Sequence, residues 1–271
     1  MAVAFNISEL RNLAGQLTEK LDVPFNQLTH SFLKRRLNEV FDKNGWRKAE
    51  QLIEKINDDS FVDQFLLSFS VNTTELFRDP GFWRQLRKQI PVLKSTGNLK
   101  ILLPDLASGE ELYSLLILLH EIGYVGSTTI TVQHYSNLRL EQVKKGILAT
   151  RKMDVNAYNY KRYEGSNSLD DYFVESSDGY CFDTKLLHNV EFKKAGCELS
   201  NDFEIVIFRN TMLYYLKDYH NSFKESFDKS LKPGGLLCLG VKEMLAEPFE
   251  NRFEAVDTKE KIYRKYAFLK G

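Results

Sequence analysis

A lone glycine followed by two glutamates, within Ala107-Ser108-Gly109-Glu110-Glu111, sits after an apolar run and opens an amphipathic stretch. At such a strand-to-helix passage, dinucleotide enzymes place a glycine-rich phosphate cradle. Two carboxylates in a first helical turn repel a pyrophosphate but tolerate a positively charged sulfonium or ammonium group. The same acids also complement the helix dipole, worth about 0.3–1 kcal/mol, so either glutamate alone has an ordinary structural explanation. A second polar cluster, Asn72-Thr73-Thr74-Glu75-Leu76-Phe77-Arg78, has the groups to clamp a carboxylate through paired hydrogen bonds. Read otherwise, Asn72 or Thr74 is a helix cap and Arg78 a surface residue. The third is Arg209-Asn210, where the apolar run Phe203, Ile205, Val206, Ile207, Phe208 breaks, as at a strand's carboxyl end opening into a ligand crevice. Other chemistries find no support. His30, His120, His134, His188 and His220 show no metal-ligand spacing, and Cys181, Cys197 and Cys238 form no CxxC pair. There is no GxSxG elbow and no P-loop, and no metal site is expected.

The elements that must position these groups fall into two styles. Early in the chain the period is helical. Ile7, Leu10, Leu13, Leu17 and Leu21 make one stripe with Ser8 as N-cap, and a helix from Ser31 to Lys43 buries Phe32, Leu33, Leu37, Val40 and Phe41 before Asn44-Gly45. A third helix follows Trp46, and Ser60 caps a fourth with Phe61, Phe65, Leu66 and Phe69 on its apolar face. Asp79-Pro80 starts a fifth, continued by Phe82, Trp83, Leu86 and Ile90. After the Ser95-Thr96-Gly97-Asn98 turn the period alternates. Leu99 to Leu103 reads as a strand, Glu110 to Ile122 as a helix, Thr128 to Gln133 as a strand and Leu138 to Leu148 as a helix. That β-α-β-α order implies a mainly parallel sheet. The aromatic stretch from Tyr158 to Phe192 reads as a small antiparallel insertion with a Ser177-Asp178-Gly179 turn. Phe223, Phe227 and Leu231 mark one more helical face, stopped by Pro233-Gly234-Gly235 before a buried strand from Leu236 to Gly240. Phe253 to Tyr266 reads as two strands closing the sheet antiparallel.

Bulk properties narrow the function classes. The chain of 271 residues is long enough for a full core and one or two domains. Lys plus Arg and Asp plus Glu number 37 each, so no global field draws it to nucleic acid or membrane. No apolar run approaches the roughly 20 residues of a membrane span, and a cytoplasmic location is expected. Lys34-Arg35-Arg36 reads as a solvated helix face or a dock for an acidic partner helix.

Taken together, SFLKRRL, NTTELFRDPGFW, SGEELYS, FRNTMLYYL, LKPGGLLCLG and the terminal EKIYRK resemble, in order, the chemotaxis-receptor methyltransferases of the CheR type across nearly the whole chain. The resemblance implies an α/β fold: a class I, Rossmann-like methyltransferase domain with a small antiparallel β-subdomain insertion and an all-α N-terminal domain. On this chain that means a helical domain over 1–80, a connecting helix and linker over 81–98, and the α/β domain over 99–271, with 158–192 inserted. It implies S-adenosyl-L-methionine as cofactor, and as partners the cytoplasmic helices of chemoreceptors or related signalling proteins, whose glutamate side chains become methyl esters. Cofactor-binding positions implied by the family's motifs are Asn72, Thr74, Arg78, Gly109, Glu110, Glu111, Arg209 and Asn210, with Arg78 and Tyr214 at the methyl donor as catalytic residues. Where the family has an aspartate for the ribose hydroxyls this chain has His134, and where it has Asn-Leu near the adenine this chain has Gly196-Cys197. Asp105 replaces a glycine, Leu112 a proline, and Lys94 stands where a basic residue precedes the first strand. A glutamate carboxylate is already a nucleophile at neutral pH, so the reaction needs alignment and exclusion of water, not a general base. The competing class is a non-catalytic CheR-like binding module in a signalling pathway. Nucleic-acid methylation is disfavoured by the balanced charge and the lack of an Asn-Pro-Pro-Tyr type motif.

Overall fold

The computed structural model describes residues 5–72, 74–93, 97–148, 152–176, 179–197, 199–245 and 249–267. The expected Lys94, Ser95-Thr96 and Ser177-Asp178 features lie outside the described residues. Four helices come first: α1 (Ile7–Leu21), α2 (His30–Asn44), α3 (Ala49–Lys55) and α4 (Asp59–Phe69). Their apolar faces make one cluster that includes Leu13, Leu17, Phe25, Leu37, Phe41, Leu52 and Phe65. The caps differ from expectation. Asn6, not Ser8, caps α1 in a reciprocal box with Glu9, and Asp58, not Ser60, caps α4. In both, the residue two places upstream has the extended backbone that a cap needs. Ile7 is left exposed because the buried stripe begins at Leu10.

The α/β part opens with α5 (Pro80–Leu93) and continues through β1 (Leu99–Leu103), α6 (Glu110–Glu121), β2 (Thr128–His134), α7 (Asn137–Lys144), β3 (Ile147–Leu148), α8 (Met153–Tyr163), β4 (Phe173–Ser176), β5 (Gly179–Phe182), β6 (Val190–Lys194), β7 (Phe203–Phe208), α9 (His220–Ser230), β8 (Leu231–Leu239), β9 (Phe253–Asp257) and β10 (Ile262–Lys265). The main sheet has seven strands in the order β6-β2-β1-β7-β8-β10-β9. The first five pair in parallel and the last two antiparallel. Strand order reverses between β1 and β7, the switch point where open α/β sheets bind ligands. The second sheet has three strands, β3-β5-β4, paired antiparallel.

The insertion differs in extent from the aromatic stretch 158–192. Residues 158–163 belong to α8, whose Tyr160 and Tyr163 are buried against Phe77, and β6 joins the main sheet beside β2. Aromatic richness marked burial there, not strand. Likewise Ile147–Leu148 leaves α7 to pair with β5, and β8 begins at Leu231, its Pro233-Gly234-Gly235 forming an irregularity within the strand.

Candidate active site

The carboxyl ends of β1, β2, β6 and β7 open toward the helical lobe, and a cavity of about 280 Å³ lies between them. That is near the lower end of the roughly 300–1,000 Å³ usual for small-molecule sites. Its floor is Asp105, Gln133, His134 and Gly196, and its roof Phe25, Phe32 and Phe69. A smaller cavity of about 40 Å³ adjoins it, sharing Val71, Asp105, Thr211 and Tyr214, and is lined by Thr74, Arg78, Glu111, Arg209 and Asn210.

The lobe is pinned over this hollow by backbone and side chain. Thr29 N–H donates to the Tyr214 carbonyl at 2.8 Å, Leu216 N–H donates to the Gln27 carbonyl at 2.8 Å, and the Phe32 and Tyr214 rings lie 4.5 Å apart. From α4, the Asp63 carboxylate accepts from Asn137 and Leu138 N–H at 2.7 and 2.8 Å, capping α7 from across the cleft. An anionic cap of this kind is worth about 1 kcal/mol.

At the β1 tip, Gly109 has φ +101 and an added Cβ would meet Val143 Cγ2 at 2.9 Å, so only glycine lets α6 start this close to α7. Glu110 is buried and accepts from the Thr74 hydroxyl at 2.7 Å and from Ser108. Glu111 instead pairs with Arg209 at 2.8 Å, and Asp79 takes the other guanidinium nitrogen at 2.7 Å. The Arg209 side chain is fully buried, 3.9 Å above the Phe82 ring. Burial pushes the Glu111 carboxyl up, while Arg209 pulls it back down. Arg209 is thus committed to a brace joining β7, α6 and the start of α5.

Arg78 is presented by a strained loop. Phe77 and Asp79 both have positive φ, 50 and 56, a conformation costing about 1–3 kcal/mol each. Surrounding bonds over-determine it: Leu76 N–H donates to Asn156 Oδ1 at 3.0 Å, Phe77 N–H to Ser114 Oγ at 2.8 Å, and Trp83 Nε1 to the Arg78 carbonyl at 2.9 Å. The Arg78 side chain itself is exposed at the mouth of the small cavity and makes no ion pair among the described residues.

His134 Nδ1 accepts the Ser136 N–H at 2.9 Å, which places the ring proton on Nε2. Burial lowers its pKa against the pull of Asp105, so the ring is neutral at neutral pH. Among the described residues no hydrogen bond joins His134 to Asp105, and both line an open hollow. Tyr135 lies on the same wall, its phenol pushed up to about 12 by burial.

Of the sequence-derived positions, Thr74, Arg78, Glu111, Arg209, Asn210, Tyr214, His134 and Gly196 converge on the two joined cavities. Gly109 and Glu110 shape the turn behind them. Cys197 is exposed and lines neither cavity. Asn72 faces a different groove, between α2, α4 and α7, where its Oδ1 accepts from the buried Arg139 at 2.7 Å.

A residue that shapes the site escaped the sequence reading. Glu243, buried beyond β8, accepts N–H bonds from Asn210 at 2.9 Å, Met212 at 2.8 Å and Gly240 at 2.6 Å. It ties the β7 tip to the β8 tip and holds Asn210 at φ 59. The only signal was a glutamate three residues after a strand-ending glycine. Glu243→Ala strands three buried donors, each costing about 1–3 kcal/mol. Urea unfolding is expected to show a loss of about 3 kcal/mol or more, with Gln partly restoring it.

The cavity suits S-adenosylmethionine. An imidazole N–H without a partner among the described residues and the Asp105 carboxylate line a compartment roofed by aromatics, and a carboxylate-rich tip adjoins the exposed Arg78. The buried Gln133 amide nitrogen at the wall also has no hydrogen-bond partner among the described residues. Among the described residues no helix is long and apolar enough to cross a membrane.

Residues 72–262 match the family model for the CheR methyltransferase, SAM-binding domain. Cher3 of Pseudomonas putida is 27% identical over 263 residues, spanning 95% of this chain and 96% of its own length. The chemotaxis protein methyltransferase of Listeria monocytogenes is 24% identical over 227 residues, spanning 80% of this chain and 82% of its own. The corresponding protein 1 of Pseudomonas aeruginosa is 24% identical over 227 residues, spanning 78% and 80%. The matched domain begins at Asn72, contains every strand tip that floors the hollow, and takes S-adenosylmethionine as its cofactor. This chain belongs to the CheR methyltransferase family, whose members use that cofactor to transfer a methyl group.

Proposed function

We propose that this protein is a protein-glutamate O-methyltransferase acting in the cytoplasm on the helices of a chemoreceptor or related signalling protein. When bound, S-adenosylmethionine supplies a methyl group on a sulfonium, and transfer to a carboxylate oxygen breaks the carbon–sulfur bond, leaves the electron pair on sulfur and forms a methyl ester. The chain's residues supply position and dryness. The observation that carries this reading is the joined pair of cavities, with an exposed cation, Arg78, at the seam between the donor compartment and solvent. In this reading residues 1–80 roof the donor, 81–98 connect, and 99–271 hold it. Thr74, Glu111 and Asn210 face the donor's amino-acid end, Arg78 holds a carboxylate there, and Tyr214 closes the boundary between compartments. Gly196, with φ +89, leaves room at the base end beside Tyr135.

The ribose position carries an exchange of charge. His134 stands where the family's aspartate is expected, and Asp105 brings a carboxylate to the same cavity from β1. In this reading the ring N–H donates to one ribose hydroxyl and Asp105 accepts from the diol. Asp105→Asn or His134→Ala should each weaken S-adenosylhomocysteine binding about tenfold, roughly 1.4 kcal/mol. Asp105→Gly combined with His134→Asp should recover it, as read by calorimetry. Activity is tested with methyl-labelled donor and an acceptor carrying glutamates: alkali-labile label released as methanol is expected. Alkali-stable label would refute the ester chemistry.

A further inference from the structure

On the solvent side of Arg78 lies an open groove of about 500 Å³ that shares Glu75 and Arg78 with the small donor-side cavity. Cations from three separate segments face it: Arg84 on α5, Arg162 near the end of α8, and Lys259 in the turn between β9 and β10. Its carboxylates are mostly spent elsewhere. Asp79 is paired with Arg209 at 2.7 Å, and Glu75 sits 3.5 Å from Lys152. The Glu260 carboxylate is buried against Gly81, where burial pushes its pKa up.

Arg162 and Lys259 are held much more loosely than Arg84. Arg162 meets no carboxylate among the described residues, its guanidinium lying 5.6 Å over the Tyr158 ring. Arg84 donates to the Arg162 backbone carbonyl and lies 3.8 Å from Glu164. The Lys259 side chain is 89% exposed and 4.0 Å from Glu260. In a chain with equal numbers of acidic and basic residues, this groove gathers Arg78, Arg84, Arg162 and Lys259 against three carboxylates, two of which already have cationic partners outside it. Such a cluster of cations steers and registers an acidic partner more than it tightens binding.

We propose that this groove binds an acidic stretch of the acceptor polypeptide, with Arg162, Lys259 and Arg84 reading carboxylates that neighbour the one delivered to Arg78. The inference rests on the methyltransferase reading for its meaning, but peptide capture is measurable without methyl transfer. Arg162 and Lys259 are suitable for the test because each is exposed and neither accepts a role in the donor cavities.

The probe is fluorescein-labelled decaglutamate, followed by fluorescence anisotropy at low salt, with decaglutamine as control. The wild-type protein should bind decaglutamate only, with affinity falling as salt rises. Arg162→Glu combined with Lys259→Glu should weaken it at least tenfold while thermal melting and S-adenosylhomocysteine affinity stay unchanged. Lys34→Glu combined with Arg35→Glu, on α2, should leave it within about twofold. Failure of the wild-type protein to bind decaglutamate would overturn the proposal, as would undiminished binding by the groove variant or loss confined to the α2 variant. Peptide capture without any ester formation would refute the activity and leave the groove standing. Ester formation with an acceptor KM unmoved by the groove variant would do the reverse.

Discussion

Arg209→Ala is expected to destabilise the protein by about 3–5 kcal/mol, the cost of removing one partner from a buried ion pair. Two carboxylates depend on this guanidinium, Asp79 and Glu111, and they belong to different elements. With alanine they would face a hole lined by Phe82 and Trp83, with no guanidinium between them to offset their repulsion. Urea unfolding should show a lower midpoint with an unchanged slope. The penalty should shrink in acid, as the stranded carboxyls take up protons. Adding Asp79→Asn and Glu111→Gln to the alanine variant should recover part of the loss, because the three groups act as one unit. Equal stability of Arg209→Ala and wild type would show that the brace is not structural.

Arg78→Ala should have the opposite signature. Its side chain is exposed and makes no ion pair among the described residues, so folding stability should stay within about 0.5 kcal/mol of wild type. Methyl transfer should fall at least a hundredfold, since a charge-assisted contact to a carboxylate is worth up to about 3 kcal/mol. Splitting the effect locates the contact. A weaker S-adenosylhomocysteine affinity places it on the donor's carboxylate, and a raised acceptor KM with donor affinity intact places it on the acceptor. Arg78→Lys should restore only part, having lost the planar fork. Transfer at the wild-type rate would remove Arg78 from the site.

Periodicity made most of this architecture legible. β1 and β7 carry apolar runs broken only at their second residues, Lys100 and Glu204, because both faces of a central parallel strand are covered, and their ends are abrupt. The start of α5 was equally plain from Asp79-Pro80. Aromatic density was ambiguous instead: Tyr160 and Tyr163 pack a helix against Phe77, and nothing local separates that from a strand. At the site, the strand tips and the Gly109 turn were visible because their neighbours in sequence are also their neighbours in space. Glu243, Arg139 and Asp63 were not, since each acts on backbone or side chains brought near by topology alone. Asn72 shows the same limit from the other side. Its place in a polar motif suggested the cofactor, yet its amide oxygen is bound to Arg139.

Titration calorimetry of the purified protein with S-adenosylhomocysteine tests the central claim most directly. Micromolar, one-to-one binding that is lost when Tyr214→Trp fills the boundary between the two cavities is the predicted result. No heat at millimolar ligand, from a protein that melts cooperatively, would contradict it and leave a CheR-like scaffold that binds partners without a methyl donor.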